Sequence, residues 1–324
     1  MSILLQILKS IKLRGRIRWN FPMAELSSFK TGGSADIAAW PESTGELLAL
    51  VHAARAQNLP WIVLGGGSNI LISDRGIRGM VILTTELNDI RREAQRVIAA
   101  PGAPMSEVSA RAADWGLAGI DFLYAMPGSA GGAVWMNARC YGSEIADVLE
   151  WTEYIDIDAN PIEVKRLAIH ADDFSYKRSP FQRNRNIILE SSYLLTQGKR
   201  EELWKKMREH EDDRTRKGHF LAPCAGSIFK NNRSFGAPSG KIIDSLKMRG
   251  TRIGGAKVSD LHANIIINEN TASAAEIARL IDLIHERVLK ELGFDLEPEV
   301  IKIGQWEDED AAANGANFSG SIQH

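Results

Sequence analysis

The chain reads as an α+β protein, and three observations carry that reading. Strand and helix periodicities alternate through its first two thirds. A segregated C-terminal stretch follows, with short apolar runs and one long amphipathic helix. Two glycine-rich loops fall in two adjacent units, one between strands and one ahead of a helical pattern. At 324 residues there is room for two or three domains.

The first unit is expected over residues 1–86. Leu4, Leu8 and Ile11 share one face of a short N-terminal amphipathic helix, expected to pack on the body. That helix lacks a cleavage site, and no stretch has the length of a membrane span, so neither secretion nor membrane insertion is expected. Ser43 and Glu46 have capping-box spacing and open a helix with Leu47, Val51 and Ala54 on one face. Trp61–Leu64, Ile70–Ile72 and Met80–Leu83 read as buried strands.

The second unit, 87–216, contains a helix around Glu107–Trp115 that Gly116 stops. In "AMPGSAGGAVWMNARCYG" the glycine loop leads into a helix, with Val134, Ala138 and Tyr141 at helical spacing. "WTEYIDID" and "NIILESSYLL" read as strands, the first closed by the turn "ANP". The charged helix Glu201–Arg214 has few apolar residues and reads as a connector. The third unit, 217–304, has its long helix from about Thr271, with Ile277, Leu280, Ile281, Ile284 and Val288 as its buried stripe and Gly293 as its stop. "LEPEVIKIG" is the last strand, and 305–324 reads as a disordered acidic-to-polar tail.

Composition narrows the function. With 44% apolar and 25% charged residues and a formal net charge of −2, the chain lacks the basic excess of a nucleic-acid binder. Cys140 and Cys224 have no metal-ligand spacing and read as small buried residues of a reducing compartment, the cytoplasm by default.

The stretch "WIVLGGGSNILIS" asks why so much bare backbone stands between two strands. One answer is an anion nest of successive backbone N–H groups; the other is a glycine-rich hairpin. No helix follows and no G-x-G-x-x-G is present, so a Rossmann or P-loop reading is excluded. The second loop, Gly128–Gly132, offers helix N-terminal amides. Together the two loops suit an extended ligand with a central pyrophosphate, lying between domains. The third unit supplies Ser227, Lys230, Asn231 and Glu299, with Lys217, Arg249 and Arg252 as cations. Singly each has an ordinary reading: a turn serine, a solvated strand carboxylate, surface charge. His262 reads as a hydrogen-bonded structural histidine.

In order, "SSFKTGGSAD", "LGGGSNILISD", "GLAGIDFLYAMPGSAGGAVWMNA", "FSYKRSPF", "GSIFKN", "GTRIGGAKVSDLHANIIIN" and "LEPEVIKIG" resemble the UDP-N-acetylenolpyruvoylglucosamine reductase family, flavoenzymes of bacterial cell-wall synthesis. The resemblance covers about residues 20–304, and the short connection after "YKRSPF" is similar to its type II branch. It implies an FAD-binding fold of the vanillyl-alcohol-oxidase type, with two FAD subdomains and a separate α+β substrate domain. It also implies non-covalent FAD, NADPH as co-substrate, and hydride passed through the flavin to UDP-N-acetylglucosamine enolpyruvate, by a chain expected to be a monomer.

The resemblance puts the FAD pyrophosphate on Gly65, Gly66, Gly67, Ser68 and Asn69, and the same cofactor against Pro127, Gly128, Ser129, Gly131 and Gly132. Ser227 matches the proton donor, Glu299 the carboxylate that steadies the intermediate, and Lys217 and Asn231 positions that touch substrate. Lys177 stands where the family usually has arginine, and Arg139-Cys140 replace a glycine-alanine pair. Lys177 is expected to be the working cation. Arg178, on the other side of an extended chain, would not replace it; Arg139 is a further candidate. The alternatives are a small-alcohol oxidase of the same fold and a binding protein that keeps FAD and sugar nucleotide without turnover.

Overall fold

The computed structural model describes residues 13–159, 161–182 and 186–306. The expected N-terminal helix, Asn160 of the "ANP" turn and the tail beyond Trp306 lie outside them. The first unit contains β1 (Arg16–Pro22), β2 (Ser34–Trp40), α1 (Thr44–Ala56), β3 (Trp61–Leu64), β4 (Ile70–Ile72) and β5 (Ile77–Leu83). Its main sheet has the order β1-β2-β5-β3, parallel except for β1. Side chains alternate across it. Ile37, Ala39, Met80 and Ile82 pack with Leu47, Leu50 and Val51 of α1, while Ala38, Val81 and Leu83 join Phe21 and Met23 on the other face.

The capping box at α1 is only half formed. Ser43 Oγ accepts from the Glu46 N–H at 3.2 Å. The Glu46 carboxylate accepts instead from the backbone N–H groups of Arg14, Gly15 and Glu42, clamping the approach to β1. The glycine-rich stretch is not a hairpin either. β3 pairs with β5, whereas β4 leaves that sheet and pairs in parallel with a strand more than two hundred residues later.

The second unit contains β6 (Ile90–Glu93), β7 (Arg96–Ala99), α2 (Met105–Asp114), α3 (Ala130–Trp135), β8 (Leu149–Asp156), β9 (Glu163–Ala168) and β10 (Asn186–Leu194). The strands form an antiparallel sheet in the order β9-β8-β10-β7-β6. Met105, Val108, Ala112, Val134 and Tyr193 are among the residues that build the core against it. α3 stops after six residues, so the expected helix through Ala138 and Tyr141 does not form. Asn137 is fully buried at φ +43°. Its Nδ2 donates to the Ser175 carbonyl at 3.0 Å and its Oδ1 accepts from the Ala146 N–H at 3.2 Å. These tertiary bonds turn the chain where helical spacing would have continued it. α4 (Arg200–Arg216) is more than a connector: Leu203 and Met207 dock it on Ala113.

The third unit contains β11 (Cys224–Ser227), α5 (Ser239–Ser245), β12 (Ala256–Val258), β13 (Ile265–Asn268), α6 (Ala274–Leu292) and β14 (Ile301–Ile303). The expected stripe of α6 is buried in full. Three devices bolt this unit to the first. Phe29 lies within its core, and the Phe29 carbonyl accepts from Asn268 Nδ2 at 2.9 Å. Asp74, just after β4, accepts from the N–H groups of Ala274 and Ala275 at 2.8 and 2.9 Å, placing a carboxylate on the N-terminus of α6. β14 pairs with β4, Ile301 opposite Ile70. No helix among the described residues is long and apolar enough to cross a membrane.

Candidate active site

A chamber of about 1430 Å³ opens where the three units meet. Single small-molecule sites usually span roughly 300–1,000 Å³, so this one has room for two extended ligands in contact.

The two glycine loops meet at its wall. Ser68, Asn69, Pro127, Gly128, Ser129 and Gly132 line it; Gly65, Gly66, Gly67 and Gly131 do not. A Cβ on Gly66 would stand 3.1 Å from Gly128 Cα, and one on Gly128, at φ +119°, would stand 2.7 Å from Ser68 Oγ. Glycine is therefore needed at both positions so that one loop can rest on the other. Of the first loop, Ser68 and Asn69 face the chamber directly, and Gly65–Gly67 lie next to them in the chain.

At one end of the chamber three sequence-expected residues converge. Tyr176 and Lys177 form the tip of a tight turn closed by reciprocal backbone bonds between Ser175 and Arg178. Lys177 is left-handed at φ +58°, the conformation a type II turn requires at its third position. The turn, rather than an extended chain, separates Lys177 from Arg178: Lys177 is largely buried, whereas Arg178 is exposed. Lys177 Nζ lies 2.6 Å from Glu299 Oε1, and Gln182 Nε2 donates to the Lys177 carbonyl at 3.2 Å.

Glu299 precedes β14 instead of lying on it. Its N–H donates to the Ile228 carbonyl at 2.7 Å, and its carbonyl accepts from Asn69 Nδ2 at 3.1 Å. Ser227, at the end of β11, is thereby held alongside. Its hydroxyl makes no bond to its own backbone among the described residues, so the turn-serine reading fails. Asn264, buried beneath, accepts from the Phe229 N–H and donates to the Phe229 carbonyl, both at 2.9 Å. Arg139 is occupied elsewhere, 3.3 Å from Glu144 and with its guanidinium 5.8 Å from the centre of the Tyr176 ring.

The other end is built by the last turn of α4 and the chain after it. Lys217 Nζ is 2.6 Å from Asp213, which also accepts from the Tyr141 hydroxyl at 3.1 Å. Burial alone would raise the Asp213 carboxyl, but the Lys217 and Tyr141 bonds hold it below the usual carboxylate range. Arg214 is buried. Burial, followed by the charges of Arg214, His262 and Lys217, depresses His219 to about 4. Burial also lowers His262, whose Nδ1 accepts from the Asn264 N–H at 3.3 Å, as expected of a structural histidine, although it lines the chamber. Cys140 lines the chamber too; burial raises its thiol against the opposing charges of Arg214 and Lys177.

Asn231 also lines the chamber. Its Oδ1 accepts from the Ser239 N–H at 2.9 Å, capping α5, and its own N–H donates to the Tyr176 hydroxyl at 3.2 Å. Lys230 pairs with Glu297 at 2.6 Å. Arg249 and Arg252 pair with Asp244 and Glu269, outside the lining. Sequence reasoning missed Asp213, Arg214 and Tyr176. The R-x-x-K spacing of Arg214 and Lys217 could have shown two cations on one helical face.

Residues 217–303 match the model of the UDP-N-acetylenolpyruvoylglucosamine reductase C-terminal domain, and residues 35–165 match an FAD-binding domain. The UDP-N-acetylenolpyruvoylglucosamine reductase of Treponema denticola is 38% identical over 322 residues, covering 94% of this chain and all of that protein. That of Borreliella burgdorferi is 38% identical over 285 residues, covering 87% of this chain and 93% of the relative. The crystal structure of the Thermus caldophilus enzyme superposes with a TM-score of 0.71 at 30% identity, over 90% of this chain and 99% of that one. With that agreement along nearly its whole length, the chain belongs to the UDP-N-acetylenolpyruvoylglucosamine reductase family and is an FAD-dependent oxidoreductase.

Proposed function

We propose that the protein uses NADPH to reduce UDP-N-acetylglucosamine enolpyruvate to UDP-N-acetylmuramate, a step of peptidoglycan precursor synthesis. The observation that carries the reading is the meeting of Lys177 and Glu299 beside Ser227, from two different units, in one chamber. In this reading residues 1–86 and 87–216 carry FAD and 217–304 carry substrate, although β14 returns to pair with the first unit.

The residues suit FAD. The stacked glycine loops leave a wall of close-lying backbone at Ser68–Asn69 and Pro127–Ser129, where side chains at Gly66 or Gly128 would collide. These residues and Gly132 would hold the cofactor. Bound FAD would supply the two-electron chemistry, taking hydride from NADPH and passing it on.

This chain's residues answer for the charge and the proton. Hydride arriving at the terminal enolpyruvyl carbon leaves negative charge on the neighbouring carbon and its carboxylate. The Lys177 ammonium compensates that charge, in a largely buried setting where an ion acts more strongly than in water. Glu299 fixes the ammonium in place. Ser227 donates its hydroxyl proton to the carbanionic carbon and regains one from solvent; only so basic an acceptor would take a proton from an alcohol. Lys217 and the Asn231 amide group would hold the nucleotide-sugar portion.

An anaerobic assay tests this function. Protein reduced by NADPH should be reoxidised on adding UDP-N-acetylglucosamine enolpyruvate, with UDP-N-acetylmuramate formed. A flavin that stays reduced would refute the assignment. Denaturation should release the flavin, and flavin fluorescence on the denatured protein band would favour the covalent small-alcohol oxidase instead.

A further inference from the structure

We infer that Cys140 is a site of peroxide oxidation, where the thiol becomes a sulfenic acid beside the guanidinium of Arg214. Read from sequence as a small buried residue, Cys140 is only partly buried and lines the chamber. Its thiol is hydrogen-bonded to the Arg214 guanidinium, and the charge of Lys177 acts on it as well. Arg214 is itself only 7% exposed and lines the same chamber. Its Nε has no hydrogen-bond partner among the described residues. The Phe220 ring, centred 5.8 Å from the guanidinium carbon, offers no carboxylate in its place. Asp213, next in the chain, is committed to Lys217 and Tyr141. A buried guanidinium donor is therefore left open beside a sulfur atom at the chamber wall.

The step balances with a peroxide as oxidant. The thiol releases its proton and the sulfur attacks one peroxide oxygen. The S–O bond forms as the O–O bond breaks; the departing oxygen takes the electron pair, gains a proton and leaves as water. Sulfur gives up two electrons, so thiol and hydrogen peroxide yield sulfenic acid and water. Negative charge develops first on the sulfur and then on the departing oxygen. Guanidinium N–H groups fixed at that point stabilise it, as preorganised donors stabilise any developing anion. Burial holds the resting thiol above its usual range, against the charges of Arg214 and Lys177. Selectivity therefore comes from donors that meet the reacting atoms and not from a resting thiolate. Hydrogen peroxide is small and uncharged, and a reduced flavin that meets oxygen generates it on the spot.

Cys224 is the internal control. It is likewise half-buried, and burial raises its thiol too. It is not among the residues that line the chamber, and its thiol donates to the His219 carbonyl at 3.6 Å. Arg214 acts on it through charge alone.

Hydrogen peroxide added to the oxidised, FAD-loaded protein with dimedone present, followed by peptide mass spectrometry, tests the site. The dimedone adduct should form on Cys140 roughly 10-fold or more faster than on Cys224, the scale of one hydrogen bond to a charged group. Equal labelling, a preference for Cys224, or no adduct on Cys140 would overturn the proposal. Arg214→Gln should bring the two rates together, and an unchanged preference would overturn the part assigned to Arg214. Flavin content and a melting curve report whether that variant is folded. If it is not, wild-type protein unfolded in guanidinium supplies the second measurement. The preference must vanish there; one that survives unfolding would belong to the local sequence and overturn the proposal. The readout is the mass of a peptide, so failure of the proposed function would leave the site standing.

Discussion

Two nearly buried cations face one chamber, and they are treated in opposite ways. Lys177 is held 2.6 Å from Glu299. Arg214 has no carboxylate among the described residues and an unpartnered Nε. In the proposed reaction the negative charge on the reacting carbon lasts only for that step, so the cation waiting for it is kept in place by a resident counter-ion. Protein contacts preform the Lys177 end, whereas Arg214 faces the chamber with a thiol and an aromatic ring as its neighbours.

The largest effect on this contrast is expected at Ser227. Ser227→Ala should slow reoxidation by the enolpyruvyl substrate by ~10²–10⁴-fold, the usual loss of a positioned acid, while NADPH still reduces the flavin. Rapid-mixing absorbance of the two half-reactions checks it; equal slowing of both would make Ser227 structural. A smaller effect is expected at the joint that brings the two ends together. Asp74→Ala removes the carboxylate from the first N–H groups of α6 and should cost about 1 kcal/mol, read as a lower urea midpoint. An unchanged midpoint would mean that β14 and Phe29 hold the units together without it.

The smallest effect separates the ends by pH. His219 sits at about 4 in the folded protein because of burial, Arg214, His262 and Lys217, against about 6.5 when unfolded. Between those values the unfolded chain binds the extra proton, so the stability is fully present above pH 6.5 and is lost as pH falls towards 4. His262, lowered for related reasons, adds to the same slope. His219→Asn should flatten the fall in urea midpoint between pH 7 and pH 5. An equally steep fall would place the acid sensitivity elsewhere.

Much of this was legible in the sequence, where local pattern and final packing agree. The stripe of α6 and the strands on either side of the first glycine loop follow their periodicities. Errors arose where distant partners decide. Glu46 has the spacing of a capping box, but its carboxylate is taken by three other amides. α3 ends early because Asn137 finds Ser175 and Ala146. β4 escapes a hairpin because its partner lies near the C-terminus. In the site, family motifs drew attention to Ser227, Glu299 and Lys177. Arg214 lay in a helix that looked like a charged connector, and only burial distinguishes it from the exposed arginines around it.

The central claim is that Lys177, and not its neighbour, is the cation of the chemistry end. Paired single-turnover measurements on Lys177→Met, Lys177→Arg and Arg178→Met test it most directly. Lys177→Met should reoxidise with the enolpyruvyl substrate about 10²–10³-fold more slowly, the scale of losing one preorganised charge-stabilising group. Lys177→Arg and Arg178→Met should retain most of the rate. An unaffected Lys177→Met, or an inactive Arg178→Met beside an active Lys177→Met, would contradict the account and move the role to Arg178.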